Sequence, residues 1–359
     1  MKKVILLDSS YPINSRNVRI LDSLKKNFNV GYITWKRDGK ELLDETYKSK
    51  VYIKKSTYGN RIKKALYLMG YYRFLLKNIK ELNPDVVIAS HWEMLLIASI
   101  AKSKNNYKLI YENLDMPDSK SEIVKWVINN IELYALRNTD AVILASRFFK
   151  PFYKKDKYLI YENYPLKPQS HLDSNYSIRN NLKEIAFIGN IRHYEVLINL
   201  IKASQESQIV ISLYGGGPSE KKLKYYCEKN NITNVKFNGS YNFADISCIY
   251  ERVDYVWAAY PNESFNVKHA ISNKFFEVMA YNKIGLFSKN TKLGEFVENN
   301  NLGLVIDPYD INSITKCINK LKDDKLISQI RFNILEHTKK EEIFWESNQI
   351  RLINFVEDV

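Results

Sequence analysis

The chain has 359 residues and a mass of 42.2 kDa, 45% of them apolar and 26% charged, enough for two ordinary domains with packed cores and too apolar for wholesale disorder. No stretch approaches the roughly 20 apolar residues of a membrane span, and Cys227, Cys248 and Cys317 show no CxxC spacing, which argues against a disulfide framework and a cysteine zinc site. The net charge of +14 lies wholly in residues 1–180, with 32 basic against 18 acidic side chains, while residues 181–359 balance at 22 of each; an anionic partner is expected for the first half alone.

The chain opens on an apolar run that stops at Asp8 after four residues, too short for a signal peptide, so a soluble intracellular protein is expected. Strands are predicted over Lys3–Asp8, Val30–Trp35, Val51–Lys55, Asp85–Ser90, Lys108–Tyr111, Ala141–Ala145 and Tyr158–Tyr161, with helices between most of them. Residues 51–80 carry eight basic side chains and no acid. Within them, Arg61–Lys80 has apolar residues at 65, 68, 69, 72, 75, 76 and 79, one face of a helix, with Lys63 and Lys77 opposite and Arg73 at the border. Two readings stay open for this helix: a solvated basic face on its own domain, or a face resting on an anionic membrane surface. No nucleic-acid motif accompanies the charge, and no nucleic-acid partner is expected.

Residues 166–182 are polar and aperiodic and read as a linker between a domain of residues 1–165 and one of residues 183–340. The alternation then restarts. Strands are predicted at Ile185–Ile188, Ile209–Tyr214, Val235–Asn238, Asp254–Ala259, Ile284–Ser288 and Leu302–Ile306, and helices at Tyr194–Ala203, Ser219–Lys229, Asn273–Ala280 and from Ile311. A last periodic stretch within residues 341–359 follows a unit already complete, and could pack back on the first domain. This alternation predicts an α/β protein of two Rossmann-like doubly wound domains, with ligands at the carboxyl ends of the strands.

Ser272-Asn273-Lys274-Phe275-Phe276-Glu277 is the most informative stretch. Ser272 can cap a helix whose first amides, Asn273–Phe275, would suit a diphosphate, with Lys274 adding charge and Glu277 able to accept from a ribose diol. An ordinary capped helix with Glu277 as capping partner fits the same residues.

The stretch resembles the "(P/S)NKxFEYMAxGxP" signature of GT-B glycosyltransferases related to glycosyltransferase family four. Other segments agree in order: Asn17-Val18-Arg19 with "DPRV", Ile188-Gly189-Asn190-Ile191-Arg192 with "hVGxhR", and Tyr214-Gly215-Gly216-Gly217-Pro218 with "hxGxGP". Asn234–Gly239 and Asn301–Leu304 resemble the later "nVxfxG" and "cGhxh" turns. The likeness is strongest over residues 185–307. It implies that Glu277 holds a ribose, that Ser272, Asn273 and Lys274 sit at the diphosphate, and that Arg192 neutralises the leaving group. Gly189, Asn190, Gly215 and Gly216 would line the nucleotide site. Two positions depart from the family. His269 stands where a first glutamate is usual, and no lysine follows Arg192, leaving Asn266 and Lys268 as nearby polar substitutes.

In the first half, Tyr111–Met116 resembles "YDhHDh" with Leu114 in place of the histidine, and His91-Trp92-Glu93 resembles "HxHD". Asp115, Glu112 or His91 could then orient or deprotonate an acceptor hydroxyl. Arg19, Lys63, Arg73 and Lys77 are expected to face acceptor or membrane.

The resemblance implies a retaining, metal-independent, cofactor-free hexosyltransferase. It would move sugar from a nucleotide sugar to a glycan acceptor, lipid-linked, in bacterial capsule or surface polysaccharide synthesis. The expected place is cytoplasmic, peripheral on the inner membrane face. An inactive GT-B scaffold and a nucleotide-sugar epimerase are the alternatives.

Overall fold

The computed structural model describes residues 1–37, 48–54, 61–119, 121–168, 183–242 and 245–359; of residues 48, 61–66 and 68 it describes the backbone only. The chain divides into one compact unit of residues 1–162 and 348–359 and a second of residues 163–347. Most of the expected linker, residues 169–182, lies outside the described residues, and so does the side chain of Lys63.

Unit 1 is built on seven parallel strands, β1 (Lys3–Asp8), β2 (Asn29–Lys36), β3 (Lys48–Ile53), β4 (Val86–Ser90), β5 (Lys108–Asn113), β6 (Ala141–Leu144) and β7 (Tyr158–Ile160). Their order is β3-β2-β1-β4-β5-β6-β7. Helices α1 (Ser15–Leu24), α2 (Arg61–Leu82), α3 (Trp92–Lys102) and α4 (Glu122–Arg137) make the crossovers. Covered strands explain the near-continuous apolar runs, such as Val4–Leu7 and Val86–Ala89, all of them buried. The strand order reverses between β1 and β4, which sets a crevice at their carboxyl ends.

Helix α2 buries Leu75 and Ile79 of its predicted face but is rotated toward Tyr71 and away from Met69. Tyr71, Leu75, Asn78 and Ile79 are buried, whereas Met69 is 61% exposed. An aromatic cluster sets this rotation. Tyr71 stacks on Trp35 of β2 at 6.1 Å and packs edge-on against Tyr52 of β3 at 5.8 Å, while its hydroxyl donates to the Ile33 carbonyl at 3.2 Å. Arg73, Lys77 and Lys80 are exposed.

Unit 2 has six parallel strands, β8 (Glu184–Ile188), β9 (Val210–Tyr214), β10 (Val235–Gly239), β11 (Tyr255–Ala258), β12 (Ile284–Ser288) and β13 (Gly303–Ile306), in the order β10-β9-β8-β11-β12-β13. Its helices are α5 (Tyr194–Ala203), α6 (Glu220–Lys229), α7 (Ile246–Arg252), α8 (Phe265–His269), α9 (Asn273–Ala280), α10 (Lys292–Asn299), α11 (Ile311–Lys320) and α12 (Asp324–Lys340). The reversal here lies between β8 and β11.

Helix α13 (Trp345–Glu357) begins in unit 2 and ends in unit 1. Asn348, Leu352 and Val356 are fully buried, and Lys2 Nζ donates to the Glu357 carbonyl at 2.5 Å.

Candidate functional site

The carboxyl ends of β8, β9 and β11 gather the charged groups of unit 2. Lys274, in the first turn of α9, is only 7% exposed. Its ammonium lies 5.1 Å from the Phe187 ring centroid and 5.4 Å from that of Tyr260, and donates to the Tyr260 hydroxyl at 2.8 Å. Burial works against a charged lysine, yet the Tyr260 phenol and the Glu277 carboxylate hold its pKa above the ordinary value. Burial also raises the Tyr260 pKa, but Lys274 outweighs it and leaves that phenol below its ordinary value. The ammonium is therefore fixed and charged at the mouth of the sheet.

Glu277 stands one turn along α9, half-buried, and accepts from the Tyr250 hydroxyl at 2.5 Å. Burial and that carboxylate push the Tyr250 phenol far up, so it remains the donor. Tyr250 stacks on Tyr281 at 4.8 Å, which holds it in place. Arg192, exposed after β8, donates from Nε to His193 Nε2 at 3.1 Å. The His193 ring meets Tyr260 edge-on at 5.8 Å. Burial, with Arg192 and Lys274 beside it, lowers the His193 pKa.

The α9 terminus is less open than the sequence suggests. Ser272 Oγ accepts from the Lys274 amide at 3.3 Å and the Ser272 carbonyl from the Phe275 amide at 2.9 Å, so two of the three expected amides are engaged. Asn273 is exposed, its Oδ1 accepting from Asn163 at 2.6 Å. The positive charge at this end thus comes from side chains.

Gly189, Gly215 and Gly217 have positive φ and pack loop against loop. A Cβ on Gly215 would stand 2.0 Å from the Gly189 carbonyl oxygen, and one on Gly217 would stand 2.5 Å from Asn190 Oδ1. A Cβ on Gly189 would meet Lys274 Nζ at 3.3 Å. Gly216 faces Ser240 and Glu220 more loosely. Gly215 and Gly217 are therefore needed for the close approach of the β8 and β9 loops. Asn266 is half-buried on α8, where His269 Nδ1 lies 2.9 Å from the Phe265 carbonyl oxygen.

At the reversal in unit 1 the charged groups are closed in. Glu112 is fully buried and accepts from Arg16 Nε at 2.8 Å and from the Ser90 hydroxyl. Arg16 also donates to the Tyr161 carbonyl. Ser90 joins Asn17, whose Nδ2 donates to Asp8 at 2.7 Å, and Asp8 accepts from the amides of Ser10 and Asn14 at 3.0 Å each. Glu112 is thus a buried anchor of the loops, with both oxygens engaged, which removes it from direct contact with an acceptor. The same network fixes the orientation of α1. Arg16, in line with Ile20 and Leu24, is the arginine turned to the sheet, and Arg19 sits half-buried on another face.

His91 and Asp115 stay within reach of solvent at the same strand ends. His91, half-buried after β4, has φ 70° and ψ 155°, a region that costs a non-glycine residue about 1–3 kcal/mol. Asp115 is exposed on the loop after β5. That loop is steadied by Asn113, whose Nδ2 donates to the Tyr153 hydroxyl at 2.7 Å, while Tyr153 and Tyr111 both donate to buried Glu132 of α4. Among the described residues no three or more His, Cys, Asp or Glu side chains are grouped to hold a metal, and no helix is long and apolar enough to cross a membrane.

Residues 170–340 match the family described as glycosyl transferases group 1. The O-antigen chain mannosyltransferase C of Escherichia coli is 24% identical over 169 residues, which are 46% of this chain and 43% of that protein; the match thus takes in less than half the relative's length. Sucrose-phosphate synthase of Thermosynechococcus elongatus superposes with a TM-score of 0.79 at 14% identity, covering 100% of this chain and 99% of that one. HepE of Anabaena, solved in complex with UDP-glucose, superposes with a TM-score of 0.72 at 16% identity over 100% and 99% of the two chains. The fold is that of the GT-B glycosyltransferases.

Proposed function

We propose that this chain, a GT-B protein whose second unit carries a glycosyl transferases group 1 segment, moves a sugar from a nucleotide diphosphate donor to a hydroxyl of a lipid-linked glycan in surface polysaccharide synthesis. The observation that carries the reading is buried, charged Lys274 at the β8–β11 reversal, one helical turn from Glu277 and beside Gly189. A fixed ammonium there suits a diphosphate, and Glu277 suits a ribose diol. Arg192, on the exposed side, would meet the charge that develops on the leaving group. The chemistry needs no metal in this reading, because cations and amides take that charge. Retention of configuration follows from front-face departure, with the diphosphate taking the acceptor proton.

In unit 1, His91 and Asp115 are the groups for an acceptor hydroxyl, and Arg19 stands near the first loop. An anionic membrane surface at the cytoplasmic face fits two outer helices of this unit. Helix α2 exposes Arg73, Lys77 and Lys80, and α4 exposes Ile123 at 76% and Trp126 at 67% along with Leu133 and Tyr134. Basic residues and exposed aromatics are what such a surface binds.

The test is calorimetric titration of the purified chain with UDP-, GDP-, dTDP- and CMP-sugars in the presence of EDTA. Micromolar binding of one diphosphate sugar and not of the monophosphate CMP-sugars, followed by its turnover on a lipid-linked acceptor, is expected. Binding that appears only when a divalent ion is restored would overturn metal independence; no binding of any sugar nucleotide would overturn the donor site.

A further inference from the structure

His193 has no place among the groups discussed so far except as a neighbour, and the family resemblance gave it no role. It occupies the N-cap of α5, yet its ring makes no capping hydrogen bond. The ring instead stands between two cations. On one side Arg192 Nε donates to Nε2 at 3.1 Å; on the other the ring meets Tyr260, whose hydroxyl holds Lys274 Nζ at 2.8 Å. A guanidinium can only donate, so Nε2 must carry a lone pair and the ring its proton on Nδ1. The lowered pKa of His193 favours the same neutral ring.

We propose that His193 is a positioning residue for the donor's diphosphate, its imidazole fixing the Arg192 guanidinium in the orientation that grips the phosphates. Engaging Nε leaves the two terminal nitrogens of Arg192, the ones that can contact two phosphate oxygens in parallel. An exposed arginine otherwise loses side-chain freedom on binding, and a pre-oriented one loses less. This inference rests on the donor reading given above.

The experiment uses the full chain and titrates UDP, GDP and dTDP by calorimetry against the native protein and the variants His193→Phe, His193→Gln, Arg192→Ala and Arg192→Ala with His193→Phe. Phenylalanine keeps the ring against Tyr260 and removes the acceptor; glutamine restores an acceptor oxygen near the place of Nε2. His193→Phe should weaken the preferred nucleotide by about tenfold, and His193→Gln by no more than about threefold. The double variant should bind no more weakly than Arg192→Ala alone, because a positioning residue has nothing left to position. Unaltered affinity in His193→Phe, or losses that add in the double variant, would overturn the proposal. His193→Ala, judged by the same comparison, serves if the phenylalanine disturbs the fold. A native chain that binds none of the three nucleotides would instead overturn the donor reading, and this inference with it.

Discussion

The two units place their charged groups at equivalent points, where the strand order of a parallel sheet reverses, and charge them oppositely. Unit 1 contains the strongly basic half of the sequence, yet its cluster has two carboxylates, Asp8 and Glu112, around one guanidinium, Arg16. Unit 2 belongs to the balanced half, yet its cluster has Arg192 and Lys274 against Glu277. Net charge describes the surface of each half, and the crevice follows another requirement. The second difference is closure. In unit 1 the ion pair is buried and its hydrogen bonds run to neighbouring loops, so it holds architecture together. In unit 2, Arg192 is exposed and Glu277 half-buried, which leaves them able to meet a ligand.

That contrast predicts opposite consequences for loss of a carboxylate. Glu112→Ala leaves Arg16 buried without its carboxylate and should cost about 3–5 kcal/mol of stability, read from urea unfolding, while the protein that stays folded binds nucleotide as before. A normal unfolding midpoint would show that the pair is not the anchor described. Gly215→Ala should sharpen the distinction by failing on both counts. Its Cβ cannot coexist with the Gly189 carbonyl at 2.0 Å, so about 2–3 kcal/mol of stability and the donor affinity should fall together. Glu277→Ala should weaken donor binding by about tenfold or more, the scale of a hydrogen bond to a charged group, and cost about 1–3 kcal/mol of stability because the buried Tyr250 hydroxyl loses its acceptor. Equal affinity in that variant would remove Glu277 from the ribose. The smallest change is expected from His91→Gly, which relieves the φ of 70° and should add about 1 kcal/mol of stability while slowing transfer; stability gained at full activity would make the strain incidental.

Much of this was legible in the sequence because strands buried on both faces are written as unbroken apolar runs. The strands of both sheets lie at the predicted places, with ends displaced by at most three residues, and the likeness to GT-B glycosyltransferases read from residues 185–307 agrees with the family matched at residues 170–340. Helix α2 is rotated from its predicted face for a physical reason. Its spacing counts Met69 and Tyr71 as equally apolar, and only the Trp35 and Tyr52 rings, distant in sequence, decide that Tyr71 goes inward. Helices α7, α8, α10 and α12 are absent from the predicted elements, although Thr291 and Asp323 cap the last two in an ordinary way. The inward place of Arg16 follows from its four-residue spacing to Ile20 and Leu24, which the resemblance at Asn17–Arg19 does not express. Tyr260 and His193 carried no such sign. Their importance comes from contacts among β8, β11 and α9, which a linear pattern does not contain.

The return of α13 to unit 1 bears on the order in which the molecule can be completed. Leu352 and Val356 are fully buried parts of unit 1, and residues 163–347 must be synthesised before they emerge. At about 5–20 residues per second, that segment takes roughly ten to forty seconds. During this interval the first 162 residues lack the side chains that finish their core, and when it ends unit 2 has all of its residues while unit 1 still waits for the last twelve of its own. On the ribosome, the half of the chain made first is therefore the half finished last.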